Sequence, residues 1–163
     1  MAKLRNAIVE LYRLAATSLP ADIEAALRIA LKKEKRGSAA ANALSAILEN
    51  IKLARETLRP VCQDTGVPIF FVKMPCGLSR LEIENEIIKA TRIATKDIPL
   101  RANAVDVLTD KNSGDNTGVG FPVIYFEETK DKKLAVDLML KGSGSENIGQ
   151  LYKLPLQELK AER

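Results

Sequence analysis

The sequence predicts an α/β chain of the α+β type, in which a segment of three helices precedes a small mixed sheet packed with helices. Two observations predict this class. Apolar residues recur at helical spacing throughout residues 1–60, and runs rich in β-branched and aromatic residues follow in residues 61–153. Of the 163 residues, 46% are hydrophobic, which is enough for the core of a single domain, 1–163.

The helical segment divides at a proline and a glycine. Residues 3–17 form the first predicted helix. Pro20 suits the first turn of a second helix, and Gly37 is predicted to close that helix as its C-cap. Ser38 is predicted to cap a third helix. This helix must end before Pro60, because the residue before a proline avoids the helical conformation.

The second part of the chain alternates predicted strands with loops and one helix. Residues 67–74 form the first predicted strand. A capping pattern at Ser79 predicts a helix that ends near Thr95. Two further strands are predicted at residues 121–127 and 134–140, joined to each other by a hairpin turn.

The last part of the chain is predicted to be helical. A short helix is expected near residues 148–152, and another begins near Leu154. Because this second helix stops so soon, residues 154–163 are expected to be the start of a longer, truncated helix. The chain would then be the N-terminal portion of a larger catalytic unit.

Charge and composition exclude several classes of function. The net charge is only +4, from 25 basic and 21 acidic residues, and no basic stripe with interleaved aromatic residues predicts binding to nucleic acid. The sequence contains neither a secretory signal nor an apolar run of about 20 residues, so we expect no membrane association. Two cysteines do not make a disulfide framework. We therefore expect a cytoplasmic protein with reduced thiols.

The run Cys62–Gly66, with the sequence Cys-Gln-Asp-Thr-Gly, is the first candidate site. A soft thiolate beside a hard carboxylate suits a centre where a metal meets an oxygen-rich substrate. The alternative is a half-buried cysteine in a polar turn, with Asp64 accepting hydrogen bonds from local amides. Cys76 is separated from Cys62 by a predicted strand, whereas zinc-binding pairs are usually spaced by about 2–4 residues. It is therefore not predicted to be a second ligand.

Two further loops carry polar groups next to predicted strands, and such loops tend to meet at one edge of a sheet. The glycine-rich turn 142–145 has amides that suit a carboxylate or a phosphate, and the alternative is an ordinary tight turn. Arg101 suits bidentate binding of a carboxylate, and the alternative is a plain surface arginine. The polar loop 110–120 is dense in turn residues and fits a plain connection equally well.

Four runs, taken in order, resemble the class I fumarase and L(+)-tartrate dehydratase family of iron–sulfur hydro-lyases. The resemblance is to the N-terminal part of the α subunit, over about residues 5 to 155 of this chain. The runs are Val61–Gly66, Leu100-Arg101, Asn116–Gly118 with Pro122, and Lys141–Asn147.

The resemblance implies a [4Fe–4S] cluster held by three cysteines, of which Cys62 is the first. It implies that Gln63 and Asp64 hydrogen-bond the substrate or order its hydroxyl. Arg101 would pair with a substrate carboxylate, and Gly144 would offer a backbone contact to the diacid. No residue of this chain is assigned as a catalytic acid or base. The implied reaction is reversible hydration or dehydration of a C4 dicarboxylate, either fumarate/malate or tartrate/oxaloacetate.

The same resemblance implies partners. A β subunit or a C-terminal domain of the same enzyme would bring the general base, and a higher oligomer of the α2β2 type is expected. The family's other two cluster cysteines and its histidine lie further along the chain, so these 163 residues alone are expected to be inactive. The residues by themselves leave two alternatives open: a non-catalytic domain that binds an anion or a partner, and a phosphate or nucleotide site at residues 142–145.

Overall fold

The computed structural model describes residues 2–98, 100–106, 108–142 and 144. Within these ranges the chain forms helices first and then a small sheet with a further helix, as predicted. The elements are α1 (Ala2–Thr17), α2 (Ala21–Lys33), α3 (Ala39–Thr57), β1 (Val67–Pro75), α4 (Arg80–Asp97), β2 (Val123–Thr129) and β3 (Ala135–Lys141). No helix in the described ranges is long and apolar enough to cross a membrane. The helices predicted near residues 148–152 and from Leu154 lie outside the described residues.

Two serines begin helices as predicted. Ser38 Oγ accepts a hydrogen bond of 3.1 Å from the Ala41 N–H at the start of α3. Ser79 Oγ accepts one of 3.3 Å from the Glu82 N–H at the start of α4. Each serine thereby satisfies an amide of the first helical turn, which has no partner inside the helix.

The prediction that Gly37 caps α2 is wrong. The helix ends at Lys33, and Glu34 is already extended, with φ −79° and ψ 147°. Gly37 instead adopts φ +80° in the turn closed by the hydrogen bond of 3.0 Å from the Ser38 N–H to Lys35 O. The glycine thus shapes the entry to α3, where a positive φ is needed.

The sheet is mixed, with strand order β2-β1-β3. β1 runs parallel to β2, with Ile69 opposite Val123. It runs antiparallel to β3, with Val67 opposite Lys141. The predicted hairpin between β2 and β3 is therefore wrong, because these strands lie on opposite sides of β1.

The central position suits β1 because its side chains are the most buried of the three strands. Phe70 and Val72 are fully enclosed, and Met74 is nearly so. A central strand has both of its backbone edges paired inside the sheet, whereas β2 and β3 each leave one edge outside. The short connection 130–134 then passes the end of β1 instead of turning back as a hairpin.

The hydrophobic core lies between one face of the sheet and helices α1 and α4. Phe70 from β1 packs edge-on against Tyr12 of α1, with ring centroids 5.6 Å apart. The other fully or almost fully buried members of this core are Ile8, Ala16, Val72, Met74, Ile83, Ile87, Ala90, Ala94 and Ile98. The core is mainly aliphatic, and it fixes β1 rigidly against two helices.

The topology brings three loops to one end of the sheet. β1 begins next to the end of β3, since Val67 pairs with Lys141. β2 also begins at this end, since Ile69 pairs with Val123. The segment before β1, the turn after β3 and the loop before β2 therefore meet, as the sequence predicted for loops flanking strands.

Candidate functional site

The backbone of the loop before β1 is hydrogen-bonded to helices α1 and α3, whereas two of its side chains are exposed. Its first residue, Val61, donates its N–H to Ala16 O of α1 at 2.9 Å. Val61 O also accepts a hydrogen bond of 2.7 Å from Asn50 Nδ2 of α3. Thr65 is buried, whereas Cys62 and Gln63 are exposed. The anchored backbone thus presents the thiol and the amide to the outside.

Gly66 permits the loop to lie directly on the sheet. Its φ is +82°, a conformation that L side chains rarely adopt. An added Cβ would also lie 2.8 Å from backbone atoms of Leu140 and Lys141. The loop therefore needs glycine here both for its turn and for the close approach to β3.

Asp64 connects this loop to the glycine-rich turn after β3. Its Oδ2 accepts a hydrogen bond of 2.9 Å from the Gly144 N–H, and its Oδ1 accepts one of 3.3 Å from the Gly66 N–H. Asp64 thus accepts a hydrogen bond from a local amide. This contact was predicted by the alternative interpretation of the Cys62–Gly66 run as a polar turn. The same carboxylate also spans to a turn that is distant in sequence.

Arg101 is held beside the same loop through its backbone. Its N–H donates to Thr65 Oγ1 at 2.9 Å, while its side chain is exposed. A shallow cavity of about 280 Å³ is lined by Arg59, Pro60, Cys62, Gln63, Thr65 and Arg101. Two arginines are among the residues that line this cavity, so it suits an anionic ligand.

Asn116 links helix α4 to the segment around Arg101 through hydrogen bonds of its side chain. Its Oδ1 accepts a hydrogen bond of 2.6 Å from the Asn103 N–H. Its Nδ2 donates to Arg101 O at 2.9 Å and to Thr95 Oγ1 at 3.1 Å. The residue is buried and has a left-handed backbone, with φ +60°. Asparagine tolerates that conformation better than most residues, so the Asn-Thr-Gly run has a structural role.

The two cysteines lie at opposite ends of β1. Cys62 precedes the strand, Cys76 follows it, and the strand has 9 residues, so about 26 Å separates its two ends. Both thiols are exposed, which excludes the alternative of a half-buried Cys62. Among the described residues, no group of three His, Cys, Asp or Glu side chains is arranged to hold a metal ion.

Comparison with known protein families shows to which family this chain belongs. A model of the fumarate hydratase (fumerase) family matches residues 5–162. The chain belongs to the fumarate hydratase family. This confirms the resemblance drawn from the four sequence runs.

The relatives of this fumarate hydratase family member are named either as fumarate hydratases or as tartrate dehydratase α subunits. The family member is 45% identical, over 96% of its length, to a Geobacillus stearothermophilus protein provisionally named class I fumarate hydratase. It is 42% identical, over 93% of its length, to a provisionally named L(+)-tartrate dehydratase α subunit from Methanocaldococcus jannaschii. It is 31% identical, over 87% of its length, to the L(+)-tartrate dehydratase α subunit of Escherichia coli K12.

The fumarate hydratase family member covers only part of each relative. It spans 30% of the Geobacillus protein, 55% of the Methanocaldococcus protein and 47% of the Escherichia protein.

The structure places Cys62, Asp64, Arg101 and Gly144 around one end of the sheet, with Gln63 exposed next to Cys62. No separate role was predicted for Asn103 or Asn116. For Asn116 the signal available was an asparagine within a run of turn residues, which fits a plain turn equally well. Only the fold shows that these two amide side chains reach the Arg101 segment and Gly66.

Proposed function

We propose that this chain is part of an iron–sulfur hydro-lyase that reversibly hydrates or dehydrates a C4 dicarboxylate. The observation that carries the proposal is the meeting of three loops at one end of the sheet. The Asp64–Gly144 bond joins residues 80 apart in sequence, and the Arg101–Thr65 bond joins residues 36 apart. Three of the four runs that resemble the family supply these contacts.

In this proposal the basic side chains and the glycine-rich turn bind the substrate. Arg101 pairs with one carboxylate in bidentate fashion, and Arg59 at the same cavity adds positive charge. Gln63 and Asp64 hydrogen-bond the substrate and orient its hydroxyl. The Gly144 N–H donates to Asp64 Oδ2 at 2.9 Å, so a substrate carboxylate that binds this amide takes the place of that oxygen.

Cys62 fits one ligand position of a [4Fe–4S] cluster. Its thiol is exposed and borders the same cavity as Arg101. Clusters of this kind need three or four thiolates, and the chain has 2 cysteines, one at the far end of β1. The remaining ligands must therefore come from outside these 163 residues. When bound, the cluster supplies an iron that acts as a Lewis acid toward substrate oxygens.

The proposed partner is the β subunit or the matching domain of a longer chain. Relatives from two organisms carry names of α subunits, and such a subunit implies a second one. We place the general base on that partner and propose an oligomer of the α2β2 type. We also propose a cytoplasmic location, because a reducing compartment keeps cluster-ligating thiols from oxidising.

The test uses the native protein that contains this chain, purified without oxygen together with its partner. Hydration of fumarate and dehydration of L(+)-tartrate are followed by separate assays, and the cluster is followed by its visible absorption. We expect Cys62→Ser to abolish both the absorption and the activity.

The matched control is Cys76→Ser, since Cys76 is also exposed but lies at the other end of β1. We expect this variant to keep its cluster and its activity. If Cys62→Ser retained both properties, the assignment of Cys62 would be wrong. If the wild-type protein acted on neither dicarboxylate, the proposed function itself would be wrong.

A further inference from the structure

In the connector after α4, both backbone polar groups of Arg101 are hydrogen-bonded to other segments. The Arg101 N–H donates to Thr65 Oγ1 at 2.9 Å, and Arg101 O accepts from Asn116 Nδ2 at 2.9 Å. With both of its backbone polar groups engaged, Arg101 has a fixed main-chain direction. Arg101 is nevertheless exposed, and these two bonds fix the point from which its side chain leaves the main chain.

Asn116 uses its whole side-chain amide for this purpose. Oδ1 accepts from the Asn103 N–H, and the two Nδ2 hydrogens go to Arg101 O and Thr95 Oγ1. Asn103 in turn donates to Gly66 O at 2.9 Å. A continuous set of hydrogen bonds therefore runs from α4, through Asn116, to the loop that carries Cys62.

The support beneath Asn116 is rigid. Thr95 belongs to α4, and its hydroxyl donates to Thr91 O at 2.8 Å within that helix. On the other side, Asp115 Oδ1 accepts from the Thr117 N–H at 3.0 Å. Asp115 also pairs with Arg92 of α4 at 3.2 Å. Asn116 thus connects the core helix to the connector without itself reaching the solvent.

We propose that Asn116 is a positioning residue that sets the orientation of Arg101 toward a carboxylate ligand. The inference rests on the proposed function for the identity of the ligand, a dicarboxylate. Asn116 does not itself contact the substrate, and it acts through the Arg101 carbonyl and the Asn103 amide.

The decisive variant is Asn116→Asp. Aspartate has the same shape, tolerates a left-handed backbone and keeps the Oδ1 acceptor, but it loses both hydrogens of the amide. In the native protein with its partner, we expect KM for the dicarboxylate to rise about tenfold or more, with a smaller change in kcat. Asn112→Asp is the matched control. It removes a donor to Ala102 O in the same region, and we expect less than a twofold change.

A double substitution separates positioning from general destabilisation. If Asn116 acts through Arg101, then Asn116→Asp has almost no further effect on KM in an Arg101→Ala background. Full additivity of the two substitutions would overturn the proposal. An effect of Asn112→Asp as large as that of Asn116→Asp would also overturn it.

Amide hydrogen exchange tests the inference without catalysis. Asn116→Asp should speed exchange at the Arg101 amide, because the Arg101 carbonyl loses its donor, while the Asn103 N–H keeps Oδ1 as its acceptor and the amides in the middle of α4 stay protected. Unchanged exchange at the Arg101 amide would overturn the positioning role. An inactive wild-type protein would instead overturn the proposed function, and the exchange measurement would still decide whether Asn116 fixes the connector.

Discussion

A Cβ placed on Gly66 would lie 2.8 Å from the carbonyl carbon and the carbonyl oxygen of Lys141. These are backbone atoms of β3, and they cannot rotate away as the end of a flexible side chain would. The contact between these two residues seats the Cys62–Gly66 loop on the sheet. It also explains why the glycine-rich turn after β3, which follows Lys141, is within reach of Asp64.

We expect Gly66→Ala to lower the free energy of unfolding by about 3 kcal/mol, since a strained φ and a steric clash act together. Gly77→Ala is the matched control. Gly77 also has a positive φ, +92°, but its Cβ would meet no heavy atom within 4 Å. We expect a loss of about 1–2 kcal/mol there, from backbone strain alone. Urea denaturation measures both values, and equal losses would contradict the role of Lys141.

The buried hydrogen bond between Tyr12 and Thr91 predicts an asymmetric pair of substitutions. The two hydroxyl oxygens are 2.8 Å apart, and Thr91 donates its own hydrogen to Ile87 O at 2.9 Å. Tyr12 is therefore the donor to Thr91. We expect Thr91→Val to cost about 1–3 kcal/mol, because it leaves the Tyr12 hydroxyl buried without an acceptor.

Tyr12→Phe is the counterpart of that substitution. It removes the donor, while Thr91 keeps its own bond to Ile87 O. We therefore expect a smaller loss, about 0.5–1.5 kcal/mol. Denaturation of the two variants under the same conditions gives the comparison. A larger loss for Tyr12→Phe would mean that the direction of the hydrogen bond is reversed.

Glu86 should make the stability of the domain depend on pH in the acidic range. Its carboxylate accepts from Arg5 at 2.7 Å and from Lys89 at 3.0 Å, and these bonds lower its pKa to about 2. A carboxyl group with a lowered folded-state pKa stabilises the fold above its unfolded pKa, and loses that effect as pH falls through the folded pKa.

Glu86→Gln should therefore have a lower Tm than wild type at neutral pH. The difference should shrink as pH falls from about 4.5 toward about 2. Glu49→Gln, at an exposed position on α3, serves as the control and should follow the wild-type curve. A Tm difference for Glu86→Gln that stayed constant down to pH 2 would show that the ion pairs do not stabilise the fold.

Both thiols should react with a small alkylating reagent in the folded protein, because both are exposed. Mass spectrometry of labelled peptides assigns the modification to Cys62 or Cys76. After anaerobic loading with iron and sulfide in the native complex, we expect only the Cys62 peptide to become protected. Equal labelling of both peptides after loading would argue against Cys62 as a ligand.

The order and type of the helices and strands in the described region could be predicted from local patterns. Ser38 and Ser79 carry their signal in a single side chain that bonds an amide three residues later. The partners of the strands could not be predicted in this way. The short connection 130–134 is compatible with a hairpin, and only burial along the whole of β1 places that strand between the other two.

The site was predictable only where its residues resemble a known family. Cys62, Asp64 and Arg101 stood in recognisable runs, and the structure brings their loops together. Asn116 and Asn103 were not assigned roles, because their importance comes from hydrogen bonds across 15 and 37 residues of sequence. No local pattern specifies such long-range contacts.

Both strands that pair with β1 come later in the chain, so β1 has no partner before Val123–Thr129 is available, and it lacks its second partner until Lys141 is available. Pairing across long sequence separations is slow, since closing a long loop costs entropy before any contact forms. The helices α2 and α3 contact each other as sequence neighbours and are free to assemble earlier. During synthesis on the ribosome, the apolar β1 strand therefore emerges before both of its partners, and its unpaired edges are exposed to aggregation until they follow.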